Sequence, residues 1–235
     1  MIRLNDVTLK ANKKNILKNI SLEIEQGKKY LLLGPSGSGK TSILKIMNYL
    51  YSPTLGSVTL DNEGYNEFKP HLLRRIVSLI MQDPIMFGEY VYENFDFVAK
   101  ITGIEADKKT IQNLFVDFGL KSEFIDKKNL ELSGGEKYRI SIIRSLINKP
   151  RFILIDEPFA ALDKTLMIKI FDYLINWTNN HNSGLVVVSH TFDNIIHKFD
   201  KVIFIKTGKL IFEGSPNTFL TSDNYIIKNF LAGNE

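Results

Sequence analysis

The sequence predicts an α/β fold with a mainly parallel sheet, an N-terminal antiparallel β subdomain and an inserted helical subdomain. Three observations lead there. Short apolar runs at residues 29–33, 76–80, 152–155, 185–188 and 202–205 read as buried strands, with helical periodicity between them, which implies crossover connections and parallel pairing. The first of these runs feeds a glycine-rich loop and then a helix. Residues from about 89 to 149 keep a helical period with no convincing strand, as an all-helical insertion would.

Taken in order, residues 2–9 and 16–24 read as strands on either side of a polar turn at 11–15. Residues 29–33 form a short buried strand. After the loop, Ile43, Leu44, Ile46, Met47 and Leu50 recur at helical spacing. Near the end, residues 202–205 and 210–212 flank Thr207-Gly208, a hairpin turn. The expected division is a core of about 1–88 and 150–220, a helical subdomain of about 89–149, and a C-terminal tail at 221–235. No repeat, low-complexity tract or Pro/Gly/Ser-rich linker interrupts this plan.

Composition excludes several classes. At 235 residues, 44% hydrophobic and 24% charged, the chain is neither disordered nor fibrous. The absence of cysteine removes disulfides, iron–sulfur clusters and Cys-based zinc sites. The net charge of +4 is scattered, so no nucleic-acid partner is expected. No apolar stretch approaches the roughly 20 residues a bilayer span needs, and the N-terminus lacks a secretory apolar region. A cytoplasmic location is expected unless a partner holds the chain at a membrane.

Gly34-Pro35-Ser36-Gly37-Ser38-Gly39-Lys40-Thr41, followed by Ser42, matches the phosphate-loop pattern between strand and helix. Glycines let successive N–H groups turn toward phosphate oxygens, and the helix N-terminus adds partial positive charge. Lys40 would reach the β- and γ-phosphates and the Thr41 hydroxyl would bind Mg²⁺. Asp156 and Glu157 close the apolar run at 152–155. An acidic pair after a strand, taken alone, reads as a turn or cap. Beside a phosphate loop, Asp156 could hold the water shell of a metal and Glu157 could polarise an attacking water.

Leu132-Ser133-Gly134-Gly135-Glu136 precedes another helical stretch. On its own it is an ordinary N-cap, yet it offers a second anion-binding helix terminus where one triphosphate needs only one loop. Gln82, after the strand at 76–80, reads as a surface residue, and His190 as a hydrogen-bonding residue at a strand end. His71, His181 and His197 match no motif, and Trp177 reads as packing.

The ordered set of phosphate loop, Gln82, LSGGE, ILIDE, Ala161-Leu162-Asp163 and Ser189-His190 resembles the ATP-binding cassette (ABC) ATPases, in particular the nucleotide-binding subunits of ABC transporters. The likeness runs from about residue 2 to about residue 220, and LSGG between the two nucleotide motifs is far more specific than a phosphate loop alone. It implies the ABC ATPase fold on a P-loop NTPase core, with ATP and Mg²⁺ bound. It further implies a head-to-tail pair of subunits, in which Ser133, Gly134, Gly135 and Glu136 complete the site of the opposite chain. Glu157 would be the general base, His190 would hold the γ-phosphate and orient Glu157, and Asp163 would sit at the subunit interface. Gln82 would contact Mg²⁺ or the attacking water. A separate integral membrane permease would be driven through the Gln82 region, placing the chain at the cytoplasmic face of the membrane.

Two positions depart from the family pattern. Many relatives stack an aromatic residue of the first strand-turn on adenine, where this chain has Ala11, and the fifth signature residue is Glu136 where glutamine is common. The segment from Met81 to Phe95 resembles exporter-type cassettes and subunits of metal or iron export. A soluble non-transport ABC ATPase and a catalytically silent regulatory cassette remain as alternatives at this stage.

Overall fold

Alternation of apolar and polar residues pairs the first two strands of the computed structural model, which describes residues 1–12, 14–105, 107–157, 164–189 and 195–233. Strands β1 (Ile2–Ala11) and β2 (Lys14–Ile24) run antiparallel, with Leu4 opposite Leu22, Leu9 opposite Leu17 and Ala11 opposite Lys14. Strand β3 (Lys29–Leu33) leads through residues 34–39 into α1 (Lys40–Met47). Next, β4 (Leu55–Leu60) and β5 (Glu63–Gly64) complete the first sheet, ordered β2-β1-β4-β5. This second hairpin escaped the sequence reading because only Val58 and Leu60 of β4 are buried, two beats of a pattern. Its turn, Asp61-Asn62, has positive φ at both residues and carried the available signal.

Helix α2 (Pro70–Ile76) opens with proline at its first position and runs directly into β6 (Val77–Ile80), one residue later than the expected strand start. Helices α3 (Glu93–Thr102), α4 (Lys108–Asp117) and α5 (Gly134–Ile147) follow, before β7 (Phe152–Asp156). Among the described residues between β6 and β7 there is no strand, only one isolated bridge from Tyr90 to Lys128. Helix α6 (Lys164–His181), β8 (Gly184–Val188) and the β9 (Lys201–Lys206) to β10 (Lys209–Gly214) hairpin complete the second sheet. Its order is β10-β9-β3-β8-β7-β6, parallel throughout except at β9–β10. The hairpin turns at Thr207-Gly208, as its sequence predicts.

Both faces of this sheet are covered, as parallel sheets require. Leu31, Leu33, Ile153, Ile155, Leu185 and Val187 point into one core, shared with α5 and α6. The alternate residues Tyr30, Leu32, Phe152, Leu154, Val186 and Val188 point into the other, shared with α1 and the antiparallel sheet. Beyond the hairpin, α7 (Pro216–Leu220) and α8 (Tyr225–Leu231) pack back on the sheet. Ile227 is buried and the Phe230 ring lies 4.8 Å from Phe204, so much of the expected tail belongs to the core.

Leu154 is fully buried at the centre of the second face. Leu154→Ala should lower stability by about 2–5 kcal/mol in urea-induced unfolding, with the slope of the transition unchanged.

Candidate active site

The order of the second sheet brings the carboxyl ends of β3, β7 and β6 to one edge, where open α/β sheets bind ligands. From β3 the backbone turns through residues 34–39 with φ of +146° at Gly34, +71° at Gly37 and +107° at Gly39. Gly34 is enforced by packing as well, since a Cβ there would lie 2.0 Å from the Ile205 carbonyl oxygen. A Cβ on Gly37 would meet nothing, so the front of the loop is open.

Helix α1 starts from Gly39 with no side-chain cap and no acidic residue in its first turn, which includes Thr41 and Ser42. Ser38 Oγ is buried without a hydrogen-bond partner. The Lys40 ammonium, 5% exposed, donates to the carbonyl oxygens of Gly34 at 2.7 Å and Pro35 at 2.8 Å, so it lies inside the loop. Pro35 and Ser36 form the outer turn of the loop, closed by Ser38 N–H on the Pro35 carbonyl at 3.2 Å. An uncapped helix start, an orphaned buried hydroxyl and a cation fit a polyphosphate.

Asp156, at the end of β7, is 5% exposed and accepts a hydrogen bond from Thr41 Oγ1 at 3.1 Å. Burial pushes its carboxyl above the usual range and the Glu157 charge adds to this, while the Thr41 hydroxyl and Lys40 pull it back. The described residues hold no cluster of three or more His, Cys, Asp or Glu able to cage a metal. One hydroxyl and one carboxylate nevertheless match the way Mg²⁺ is held, by one or two hard oxygens with phosphates and waters completing the shell.

Glu157 follows with φ of +48°, its N–H on the Val188 carbonyl at 3.1 Å. The Gln82 amide, delivered by the end of β6, donates to Glu157 Oε2 at 3.1 Å. Gln82, Asp156 and Glu157 thus meet the phosphate loop at one edge. His190 and Asp163 lie outside the described residues.

Ser133 and Gly134 are exposed at the start of α5, and a Cβ on Gly134 would meet nothing. The helix carries a reciprocal cap, with Glu136 N–H on Ser133 Oγ at 3.3 Å and Ser133 N–H on Glu136 Oε2 at 2.7 Å. Burial works against the Glu136 charge, but the Ser133 amide and hydroxyl, with Lys127 and Arg139, hold its carboxyl below the usual range. The N-cap read from the sequence is thus present, and the S-x-x-E spacing of Ser133 and Glu136 was the available signal for the reciprocal half that Glu136 supplies. Gly135 is buried, and its carbonyl accepts from Arg139 Nε at 3.1 Å. No hydrogen bond among the described residues links 133–136 to 34–42.

Three further residues had no sequence signal. Asn129 Nδ2 donates to the carbonyls of Phe87, Gly88 and Tyr90, and Asn94 Oδ1 accepts from Phe87 N–H and Arg144. Arg144, on α5, also donates to the Ile85 carbonyl, and burial lowers its pKa to about 10, leaving it charged at neutral pH. Together they tie the loop after Gln82 to α5. A groove of about 460 Å³ opens beside them, lined by Leu79, Ile85, Phe97 and Ile101 with Arg74 and Arg75. His71 also lines it and is exposed, as are His181 and His197, while Trp177 stacks on His181 at 4.0 Å.

Fold and site define a nucleotide-binding ATPase of the phosphate-loop class. Residues 17–160 match the ABC transporter family. The "Probable iron export ATP-binding protein FetA" of Escherichia coli (strain K12) is 35% identical over 206 residues, covering 88% of this chain and 91% of that protein. "Phosphate import ATP-binding protein PstB" of Aeropyrum pernix is 28% identical over 247 residues, covering 99% and 97%. Among solved structures, the dimeric post-hydrolysis ATP-binding cassette MJ0796, bound to ADP and Pi, superposes with a TM-score of 0.81 at 28% identity, covering 92% and 99%. The chain belongs to the ABC transporter family, as an ATP-binding and ATP-hydrolysing subunit. Among the described residues no helix is long and apolar enough to cross a membrane.

The charge on buried Asp156 is a cost in the nucleotide-free protein. Because its folded pKa is raised, stability increases as pH falls through that pKa toward the unfolded value, and removing the charge relieves the cost at neutral pH. Asp156→Asn, which keeps an oxygen for Thr41, should raise the Tm of the nucleotide-free protein at pH 7 and abolish the Mg²⁺-dependent increase in Tm given by ATP.

Proposed function

We propose that two copies of this chain close head to tail around two ATP molecules, each held between one phosphate loop and the Ser133–Glu136 segment of the other copy. The observation that carries this reading is the separation within one chain. The triphosphate cradle and the carboxylates meet at one sheet edge, whereas Ser133 and Gly134 stand exposed, with no hydrogen bond to them among the described residues.

The amides of Gly37, Gly39, Lys40, Thr41 and Ser42 hold the phosphates, and Lys40 exchanges the Gly34 and Pro35 carbonyls for phosphate oxygens. Thr41 and Asp156 hold Mg²⁺, which when bound neutralises phosphate charge. Glu157 takes the proton of the attacking water, and Gln82 positions Glu157 through its amide. The developing charge falls on Lys40, His190 and the Ser133 hydroxyl of the second copy.

The membrane partner docks a cytoplasmic helix in the groove beside Gln82. Support comes from its exposed apolar floor, with Ile85 61% and Ile101 51% exposed, and from the Asn94, Asn129 and Arg144 ties that join this loop to α5. This arrangement holds the chain at the cytoplasmic face of the membrane. For direction, the likeness to FetA and the exporter-like segment from Met81 to Phe95 support export.

Glu157→Gln should cut ATP turnover by at least about 10²-fold while retaining ATP binding, and should trap a dimer visible by size-exclusion chromatography with light scattering. In the wild type, turnover per molecule should fall on dilution, and Ser133→Arg should abolish it. Rates indifferent to both would overturn the shared site. Ile101→Glu should prevent co-purification of an integral membrane protein from native membranes while leaving ATP affinity within about twofold of wild type.

A further inference from the structure

We infer that the Tyr138 hydroxyl is a positioning group for hydrolysis, which donates its hydrogen to the Asp156 carboxylate as the subunit turns over nucleotide. The inference rests on the reading of Asp156 and Glu157 as the carboxylates that serve Mg²⁺ and the attacking water.

Among the described residues two buried side-chain oxygens have no hydrogen-bond partner, Ser38 Oγ and Tyr138 Oη. A buried hydroxyl left unpaired is costly, and native proteins contain few of them. The first of the two lies in the phosphate loop, among the groups that would meet the triphosphate. The second lies on α5, where Tyr138 is 5% exposed and packs in the core that holds Ile80 and Ile155.

The seating of α5 on the sheet fixes the height of that hydroxyl. Ser145 Oγ donates to Ser78 Oγ of β6 at 2.7 Å, and Asn148 Nδ2 donates to the carbonyl of Arg75, just ahead of β6, at 2.7 Å. The helix therefore runs antiparallel to the strand. Tyr138 precedes Ser145 by close to two turns, so it shares that face and lies about 10 Å nearer the helix start. At about 3.3 Å per strand residue, this is about three residues beyond Ser78, at Met81. Parallel pairing of Ile80 with Ile155 puts Met81 level with Asp156. A tyrosine on a helix leans toward the helix N-terminus, which carries the hydroxyl further toward the catalytic edge.

The electrostatics agree with this placement. Burial first, and then the negative charge of Asp156, push the phenol well above its usual pKa, so the group keeps its hydrogen and faces a carboxylate as a donor. Among the described residues the Thr41 hydroxyl reaches Asp156 Oδ1, and no hydrogen bond reaches the other oxygen. A donor and an acceptor without partners thus share one level of the sheet. Pairing them orients the carboxylate, which acts on turnover and leaves the loop's hold on the triphosphate unchanged.

The test is Tyr138→Phe in the full chain, which removes one oxygen and keeps the ring. Its Tm without nucleotide should equal or exceed that of wild type, because only an unpaired hydroxyl is lost. Its kcat for Mg²⁺-dependent ATP hydrolysis should fall by about threefold or more, with KM and the calorimetric Kd for ATP within about twofold of wild type. A lower Tm, a smaller fall in kcat or a larger change in ATP affinity would each overturn the inference, since a hydroxyl that serves only the fold moves Tm and spares kcat. Glu157→Gln is measured alongside. Turnover that survives Glu157→Gln, or wild type without Mg²⁺-dependent turnover, would remove the hydrolytic edge and the inference with it. Turnover lost in Glu157→Gln but kept in Tyr138→Phe would overturn the inference alone.

Discussion

Everything at the site depends on the order in which parallel strands are laid side by side. β8 enters the sheet between β3 and β7, although it follows both in the chain, so the loop after β3 and the carboxylates after β7 are separated by one strand. β6 pairs with β7 in parallel and delivers Gln82 to the same edge. The arrangement holds because β7 and β8 are buried along their whole length, with no solvent-facing side on which register could slip. Shifting β7 by one residue would turn Asp156 away from Thr41 and point Ile155 at the cradle.

Burial that fixes the geometry also sets the electrostatics. Lys40 and Asp156 are each 5% exposed, in surroundings where a charge gains from every polar partner and suffers without one. The loop carbonyls partner the ammonium and Thr41 partners the carboxylate, yet desolvation still raises the Asp156 pKa. The site is thus a store of unfavourable charge, which on the proposed reading phosphate and a divalent cation would relieve. Ser38 Oγ, buried and unpartnered, adds to that store.

Much of this was legible in the sequence because it is carried by pattern. The buried strands are unbroken apolar runs, the loop is a fixed spacing of glycines before Lys40 and Thr41, and Asp156 and Glu157 end such a run. What escaped has no pattern to carry it. Asn94, Asn129 and Arg144 are single polar residues within helical stretches, and only tertiary packing makes their burial useful, by giving Asn129 and Arg144 the carbonyls of one loop and Asn94 its Phe87 N–H. The β4–β5 hairpin is an edge of the antiparallel sheet and buries too little to show a period. α8 was hidden by its place at the chain end, although Phe230 and Ile227 anchor it as any core residue would. The Gln82 contact with Glu157 was hidden too, since a glutamine after a strand reads as surface and the resemblance pointed it at Mg²⁺ or the attacking water.

The two helix starts that look alike in sequence differ in what they already hold. α1 begins uncapped, and its loop holds the Lys40 ammonium on the Gly34 and Pro35 carbonyls, so an incoming phosphate would meet donors and a cation. α5 begins with its own anion in place, since the Glu136 carboxylate accepts the Ser133 amide and the Ser133 hydroxyl is engaged by the Glu136 amide. A phosphate approaching α5 would find part of the helix-terminal charge already answered, and would bind there more weakly than at α1. On the head-to-tail reading, this asymmetry gives the order of events. Nucleotide loads first on the phosphate loop of a single subunit, and the α5 terminus of the second copy adds its share only when the two surfaces are pressed together.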